Sequence, residues 1–211
     1  WWFDPILTGD YPADLLDDFG PLADAIRPGD TDEIHQPLDW MGINYYYDIL
    51  VRGVRSDESS VNRMLAYPTV QNTTESDRRA VHTDMGWPIT PEGFTNLLVR
   101  LHREYDNLPP LYITENGCAY DDPIVDGRIA DRRRIEYLDL HLRALHDAME
   151  QGVDVRGYFQ WSLMDNFEWA LGYDKRFGLV HVDFDTLERT PRDSATWYRG
   201  VIHANEVPAV G

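Results

Sequence analysis

The chain has 211 residues, 43% hydrophobic, 12% aromatic and 27% charged, which is enough for one sizeable core and too short for two comfortable domains. Its 19 Lys and Arg (Lys175 is the only lysine) face 37 Asp and Glu, and a net charge of −18 repels nucleic acid and anionic membrane, excluding both as partners. Cys118 is the lone cysteine, so neither an internal disulfide nor a cysteine metal cluster is available, and no apolar run approaches the roughly 18 residues of a membrane span. The opening Trp1-Trp2-Phe3-Asp4-Pro5 has neither an initiator Met nor a signal pattern, and it reads as the interior of a larger protein that is soluble, acidic and cytoplasmic.

In chain order, residues 12–19 predict a short helix end, followed by a Pro-, Gly- and Asp-rich loop through Pro37. Residues 38–47 form a near-continuous apolar and aromatic run, the pattern of a strand buried on both faces. Residues 55–81 are polar and unpatterned, as in a functional loop. Thr90-Pro91-Glu92 then opens a helix with Thr90 as N-cap, Pro91 at the first helical position and an apolar stripe of Phe94, Leu97, Leu98, Leu101 and Tyr105. Pro109-Pro110 stops it, and residues 111–114 are a short buried strand ending at Glu115-Asn116-Gly117. The clearest helix follows, capped by Asp131, striped by Ile135, Leu138, Leu142, Leu145 and Met149, and ended by Gly152. Residues 155–162 predict a third buried strand, 178–184 a further strand or ribbon, and 191–204 a closing helix.

Apolar strands alternating with amphipathic helices argue for parallel βαβ units in one α/β domain spanning 1–211. Such folds place ligands at the carboxyl ends of the strands. The chemically unusual residues gather there: Asn44 and Tyr46, then Glu115, then Trp161 followed by Glu168 and Trp169. A carboxylate just past a buried strand, as Glu115 is, can serve as nucleophile, base or metal ligand; it can equally be a strand-end acid satisfied by backbone. The segment from Trp161 to Trp169 packs two Trp, one Phe, two acids and an Asn into nine positions. Flat aromatic faces stack on sugar C–H surfaces while acid and amide bond hydroxyls, so a sugar site accounts for the whole set; a core would need only the aromatics. Trp87 fits either a second stacking platform or a helix-packing residue. The seven histidines read as structural or solvated, and neither a phosphate loop nor a Gly-x-Ser-x-Gly is present.

These motifs resemble those of family 1 glycoside hydrolases of the β-glucosidase type. The matching stretches are Phe3-Asp4-Pro5 with Gly9-Asp10-Tyr11-Pro12, Met41-Gly-Ile-Asn-Tyr-Tyr46, Met85-Gly-Trp87 with Pro91-Glu-Gly93, Tyr112-Ile-Thr-Glu-Asn-Gly117, the run from Gly157 to Trp169, Gly172-Tyr173 and Arg176-Phe-Gly178. The resemblance covers the chain to about Asn205 and implies the C-terminal half of such an enzyme, about strands 6 to 8 of a TIM (β/α)8 barrel with their helices. It implies that Glu115 is the nucleophile and that Tyr46 hydrogen-bonds it, with Asn44 lining the same site. Trp161 would be the platform under the sugar, Glu168 and Trp169 would bind its hydroxyls, Phe177 would form a wall, and Trp87 would stand on the aglycone side.

Two departures stand out. Pro88 replaces the Glu often found there, and the Asn-Glu-Pro motif that carries the family's acid/base Glu occurs nowhere in the 211 residues. The Gln, His and Trp that the family's first strands bring to the sugar site are also missing. Glu168-Trp169 is retained, whereas relatives acting on 6-phosphorylated sugars replace that Glu, so the resemblance implies unphosphorylated β-glucosides, with β-galactosides or β-fucosides as further substrates, and neither cofactor nor metal. It also implies a partner, namely the N-terminal half of the barrel as a second chain or, less favoured, a second copy completing a pseudo-barrel. A catalytically inactive sugar-binding half-barrel is the alternative.

Overall fold

The computed structural model of the chain describes residues 1–53, 70–72 and 80–208. Helices α1 (Phe3–Leu7), α2 (Ala13–Phe19) and α3 (Asp30–Ile34) lead into strand β1 (Met41–Asn44). A small antiparallel pair follows, β2 (Val51–Gly53) with β3 (Val70–Asn72), and most of the polar stretch 55–81 lies outside the described residues. Next come α4 (Pro91–Glu104), β4 (Leu111–Asn116), α5 (Arg132–Glu150) and β5 (Val155–Gln160). The hairpin β6 (Val180–Val182) and β7 (Arg189–Pro191) precedes the last helix, α6 (Asp193–Ala204).

β1, β4 and β5 form one parallel sheet in the order β1-β4-β5, with Met41 opposite Leu111 and Leu111 opposite Val155. Helices α4 and α5 cover one face, where Ile43, Phe94, Leu98, Leu111, Ile113 and Ala148 make a continuous core. Each large side chain buried there stabilises the fold by about 1.5–3 kcal/mol. Three strand–helix units are thus present as the hydrophobic periodicity predicts, and among the described residues β1 and β5 are the open edges. No described helix is long and apolar enough to cross a membrane.

Several local expectations need correction. The strands are not buried on both faces: Ile43 is buried, but Gly42 and Asn44 on the opposite face of β1 are exposed, and Phe159 of β5 is 57% exposed. The helices cover only the outer face of the sheet. The first strand is also shorter than residues 38–47: it runs only over Met41–Asn44 before the chain turns off the sheet. The loop before it contains α3, started by the Asp30 carboxylate, which accepts the Arg27 N–H at 2.8 Å after Gly29 turns the chain in the left-handed region.

Thr90 does not cap α4 with its side chain; its Oγ1 instead accepts the Asp48 N–H at 2.9 Å and contacts the Tyr45 hydroxyl. Asp131 likewise makes no side-chain cap, because its buried carboxylate accepts Arg134 Nε at 2.9 Å and Ser194 N at 2.8 Å, tying α5 to α6. The buried face of α5 is turned from the expected stripe: Arg134, Tyr137, Leu138, His141, Ala144, Leu145 and Ala148 are buried, whereas Met149 is exposed. The last helix begins at Asp193, since Pro191 belongs to β7 and Arg192 is extended.

Candidate active site

β1 and β4 part company in an orderly way. Asn44 stands opposite Glu115 after a register shift, and Tyr45 N still donates to the Glu115 carbonyl at 2.9 Å. Beyond that bond the chain turns off the sheet, which carries Tyr46 over the carboxyl end of β4. A second irregularity, between Ile113 and Asn116, lets β4 re-aim Glu115 out of the pleat. The two side chains meet: the Tyr46 hydroxyl donates to Glu115 Oε2 at 2.7 Å. Burial, then the hydrogen bond to Glu115, pushes the Tyr46 hydroxyl far above its ordinary pKa, so it stays a donor.

Trp161 follows β5 directly, and its N–H donates to the Asn116 carbonyl at 2.9 Å. Gly117 makes this approach possible, because a Cβ there would run into the Trp161 carbonyl oxygen. The Trp161–Ser162 peptide bond is cis. Ser162 N in turn donates to the Phe177 carbonyl at 3.1 Å, which brings Phe177 beside the strand end.

These segments enclose a cleft of ≈ 340 Å³ lined by Tyr46, Trp87, Glu115, Trp161, Glu168 and Phe177, with Asn166, Phe167 and Trp169 at its mouth. Tyr46 stands edge-on to Trp87 and Phe177, at centroid separations of 5.3 and 6.2 Å, and Tyr47 stacks on Trp87 at 5.0 Å. Glu168 sits on a tight turn closed by its N–H to the Gly172 carbonyl at 2.6 Å, and Trp169 beside it is 82% exposed. Burial, and then the charge of Glu115, raises the Glu168 carboxyl above its ordinary pKa, which marks two acids sharing one cleft. A larger hollow of ≈ 630 Å³ lies between α5 and α6, lined by Leu142, Leu145, Val201 and Ile202 together with polar groups such as Arg143 and Asp147, and none of the site residues singled out from the sequence lines it.

Seven of the eight residues singled out from the sequence therefore converge on one cleft. Asn44 does not line it; its Oδ1 accepts the Thr114 hydroxyl at 2.6 Å, one strand away from Glu115. Asp165, one of the two acids counted towards a sugar site, is no part of it either. It is buried and bonded to Arg192, Arg176 and the Gly178 N–H. Asn166 and Phe167, counted in the same aromatic and acidic segment but assigned no separate role there, also reach the cleft. The cleft can hold a small polar ring against flat aromatic faces, with one carboxylate fixed by a hydroxyl donor and a second acid across the space.

Over residues 1–207 the chain matches the profile of Glycosyl hydrolase family 1. It is 43% identical over 215 aligned positions to a bifunctional beta-D-glucosidase/beta-D-fucosidase of Bifidobacterium breve, covering 95% of this chain and 45% of that protein. Against beta-glucosidase A of Acetivibrio thermocellus the identity is 41%, covering 97% of this chain and 44% of the relative. Among solved structures, the psychrophilic beta-glucosidase BglU from Micrococcus antarcticus matches with a TM-score of 0.85 at 44% identity, over 97% of this chain and 46% of that one. The chain thus spans somewhat less than half the length of these relatives. Such neighbours are TIM barrels, and the parallel strand–helix units described above correspond to the C-terminal part of that barrel, about strands 6 to 8. The chain belongs to glycosyl hydrolase family 1.

Proposed function

We propose that this chain supplies the nucleophile and part of the sugar site of a retaining β-glucosidase, acting on terminal non-reducing β-D-glucosyl residues and also on β-galactosides or β-fucosides. One observation carries the reading: Glu115 takes a 2.7 Å hydrogen bond from Tyr46 at the floor of a cleft walled by Trp161 and Phe177 and closed by Glu168. Glu115 attacks the anomeric carbon and Tyr46 holds its carboxylate in the attacking geometry. Trp161 stacks under the ring, Glu168 and Trp169 bond its hydroxyls, Phe177 forms the wall, and Trp87 faces the leaving group.

A retaining mechanism needs a second carboxyl about 5–5.5 Å from the first, as acid and then base. Nothing in residues 1–211 carries the Asn-Glu-Pro motif for it. The proposed partner is therefore the N-terminal half of the barrel, pairing along the open edges β1 and β5 of this single partial-barrel domain. The mechanism calls for no cofactor. Cys118 is buried without a disulfide, in keeping with a cytoplasmic setting.

The test is complementation. The chain alone, and the chain mixed with an N-terminal half carrying Asn-Glu-Pro, are assayed on aryl β-glucosides and then treated with a 2-fluoro-glucosyl inactivator. Activity on mixing, with the label on the peptide holding Glu115, is expected. A label on Glu168 would overturn the assignment of the nucleophile. Sugar binding with no turnover in either sample would favour the inactive half-barrel.

A further inference from the structure

We infer that Tyr137 on α5 is a positioning residue for the reaction, holding the Tyr46 backbone through a buried hydrogen-bond relay centred on Asn116. This rests on Glu115 being the nucleophile, as proposed above.

The relay closes atom by atom. Asn116 is fully buried, and its Nδ2 donates to the Tyr45 carbonyl at 2.8 Å and to the Tyr137 hydroxyl at 3.1 Å. Its Oδ1 accepts the Tyr158 hydroxyl at 2.7 Å. The Tyr137 hydroxyl, having accepted from Asn116, donates its own proton to the Tyr46 carbonyl at 3.2 Å. Both amide hydrogens and the one phenolic proton of Tyr137 are thus assigned without conflict.

The location gives this relay its consequence. Tyr45 and Tyr46 lie beyond the last residue of β1, so side chains take over where strand pairing ends. Asn116 is the residue next to Glu115, so one amide ties the strand carrying the nucleophile to the segment carrying its hydroxyl donor. Tyr137 is held in turn: its ring stacks on His141 at 3.9 Å, and only 1% of its surface is exposed. The Asn116 carbonyl also accepts the Trp161 N–H, so the sugar platform hangs from the same residue. Removing the Tyr137 hydroxyl frees the Tyr46 carbonyl and lets the donor drift from Glu115, an error in reacting geometry and not in substrate contact.

The experiment uses the complemented enzyme, with Tyr137→Phe, Tyr46→Phe and the double variant measured on an aryl β-glucoside and with the 2-fluoro-glucosyl inactivator. A 1 Å misplacement of a catalytic group can cost about 100-fold, so a smaller drift that leaves substrate contacts intact should lower kcat by about tenfold and leave KM within about twofold. That split is expected of Tyr137→Phe, with a matching slowing of the labelling of Glu115. Because Tyr137 acts through Tyr46, the double variant should be no slower than Tyr46→Phe alone. Tyr105→Phe, which deletes another hydroxyl bonded within the fold, to Asp4, is the control and should leave kcat unchanged. If Tyr137→Phe fails to fold, Tyr158→Phe removes the hydroxyl that orients the same amide and should give the same split. Parent-like kcat and labelling rate in a folded Tyr137→Phe enzyme would overturn the inference while the nucleophile stands, as would additive losses in the double variant. A label found away from Glu115 in the parent would overturn both.

Discussion

Asp165 and Arg192 form a two-pronged pair in the interior: Nη1 donates to Oδ1 at 3.1 Å and Nη2 to Oδ2 at 3.0 Å, with both side chains fully buried. Arg176 reaches the same carboxylate at 3.3 Å, and the Gly178 N–H donates to it at 2.9 Å. The acid therefore anchors the segment between Trp161 and Glu168 to β6, β7 and the start of α6. Removing one partner leaves a buried charge uncompensated, which costs about 3–5 kcal/mol. Asp165→Ala should lower stability by that amount in a urea titration, and an effect below about 1 kcal/mol would show that the pair contributes little.

Gly117 tests the contact between the strand that carries Glu115 and Trp161. Any side chain there meets the Trp161 carbonyl oxygen, which is backbone and cannot swing aside. Gly117→Ala should destabilise by about 3 kcal/mol through overpacking. It should also weaken binding of a glucose-like inhibitor to the complemented enzyme, because Trp161 must move. Unchanged inhibitor affinity would mean that the platform tolerates the shift.

Glu168 and Trp87 should separate in kinetics. If Glu168 bonds sugar hydroxyls as proposed, through interactions that strengthen in the transition state, Glu168→Ala should lower kcat and raise KM, with kcat/KM down about 10- to 100-fold. Trp87→Ala should mainly reorder the ranking of leaving groups. An unchanged ranking would make Trp87 a packing residue against Tyr46, Tyr47 and Phe177.

His141 sets an expectation for acid stability. Burial pushes its pKa from 6.5 down to about 4, against the opposing effect of its hydrogen bond to the Tyr137 carbonyl. Between those values the unfolded chain binds a proton that the fold excludes. Its contribution is therefore complete above pH 6.5 and is lost as pH falls towards 4. At 1.36 kcal/mol per unit this amounts to about 3 kcal/mol. Denaturation series of the parent and His141→Leu should differ in slope across this window and run parallel above it; parallel curves throughout would remove His141 from the acid response.

Much of the architecture was legible in the residues alone. Leu98, Leu111, Ile113 and Leu145 fall on periodic apolar positions, and all four lie in the core that packs the sheet against α4 and α5. Tyr46, Glu115 and Trp161 could be assigned to one site because parallel strands deliver their carboxyl ends to one side, so position along each strand was sufficient. Other matters lay beyond local pattern. Asp165 and Glu168 stand three apart in one segment, yet one is locked in the interior and the other opens on the cleft. The difference comes from Arg176 and Arg192, far along the chain, which only the folded hairpin brings to Asp165. The buried face of α5 differs from the periodic stripe for the same reason, since Arg134 is satisfied by Asp131 and by the distant carbonyls of Cys118, Tyr120 and Arg176, while the His141 ring packs among Tyr45, Phe94 and Tyr137. Periodicity reports which side chains avoid water. Which charged and amide groups can be buried depends on partners that only tertiary structure supplies, and Asn116, joining Tyr45, Tyr137 and Tyr158, is where that dependence bears on chemistry.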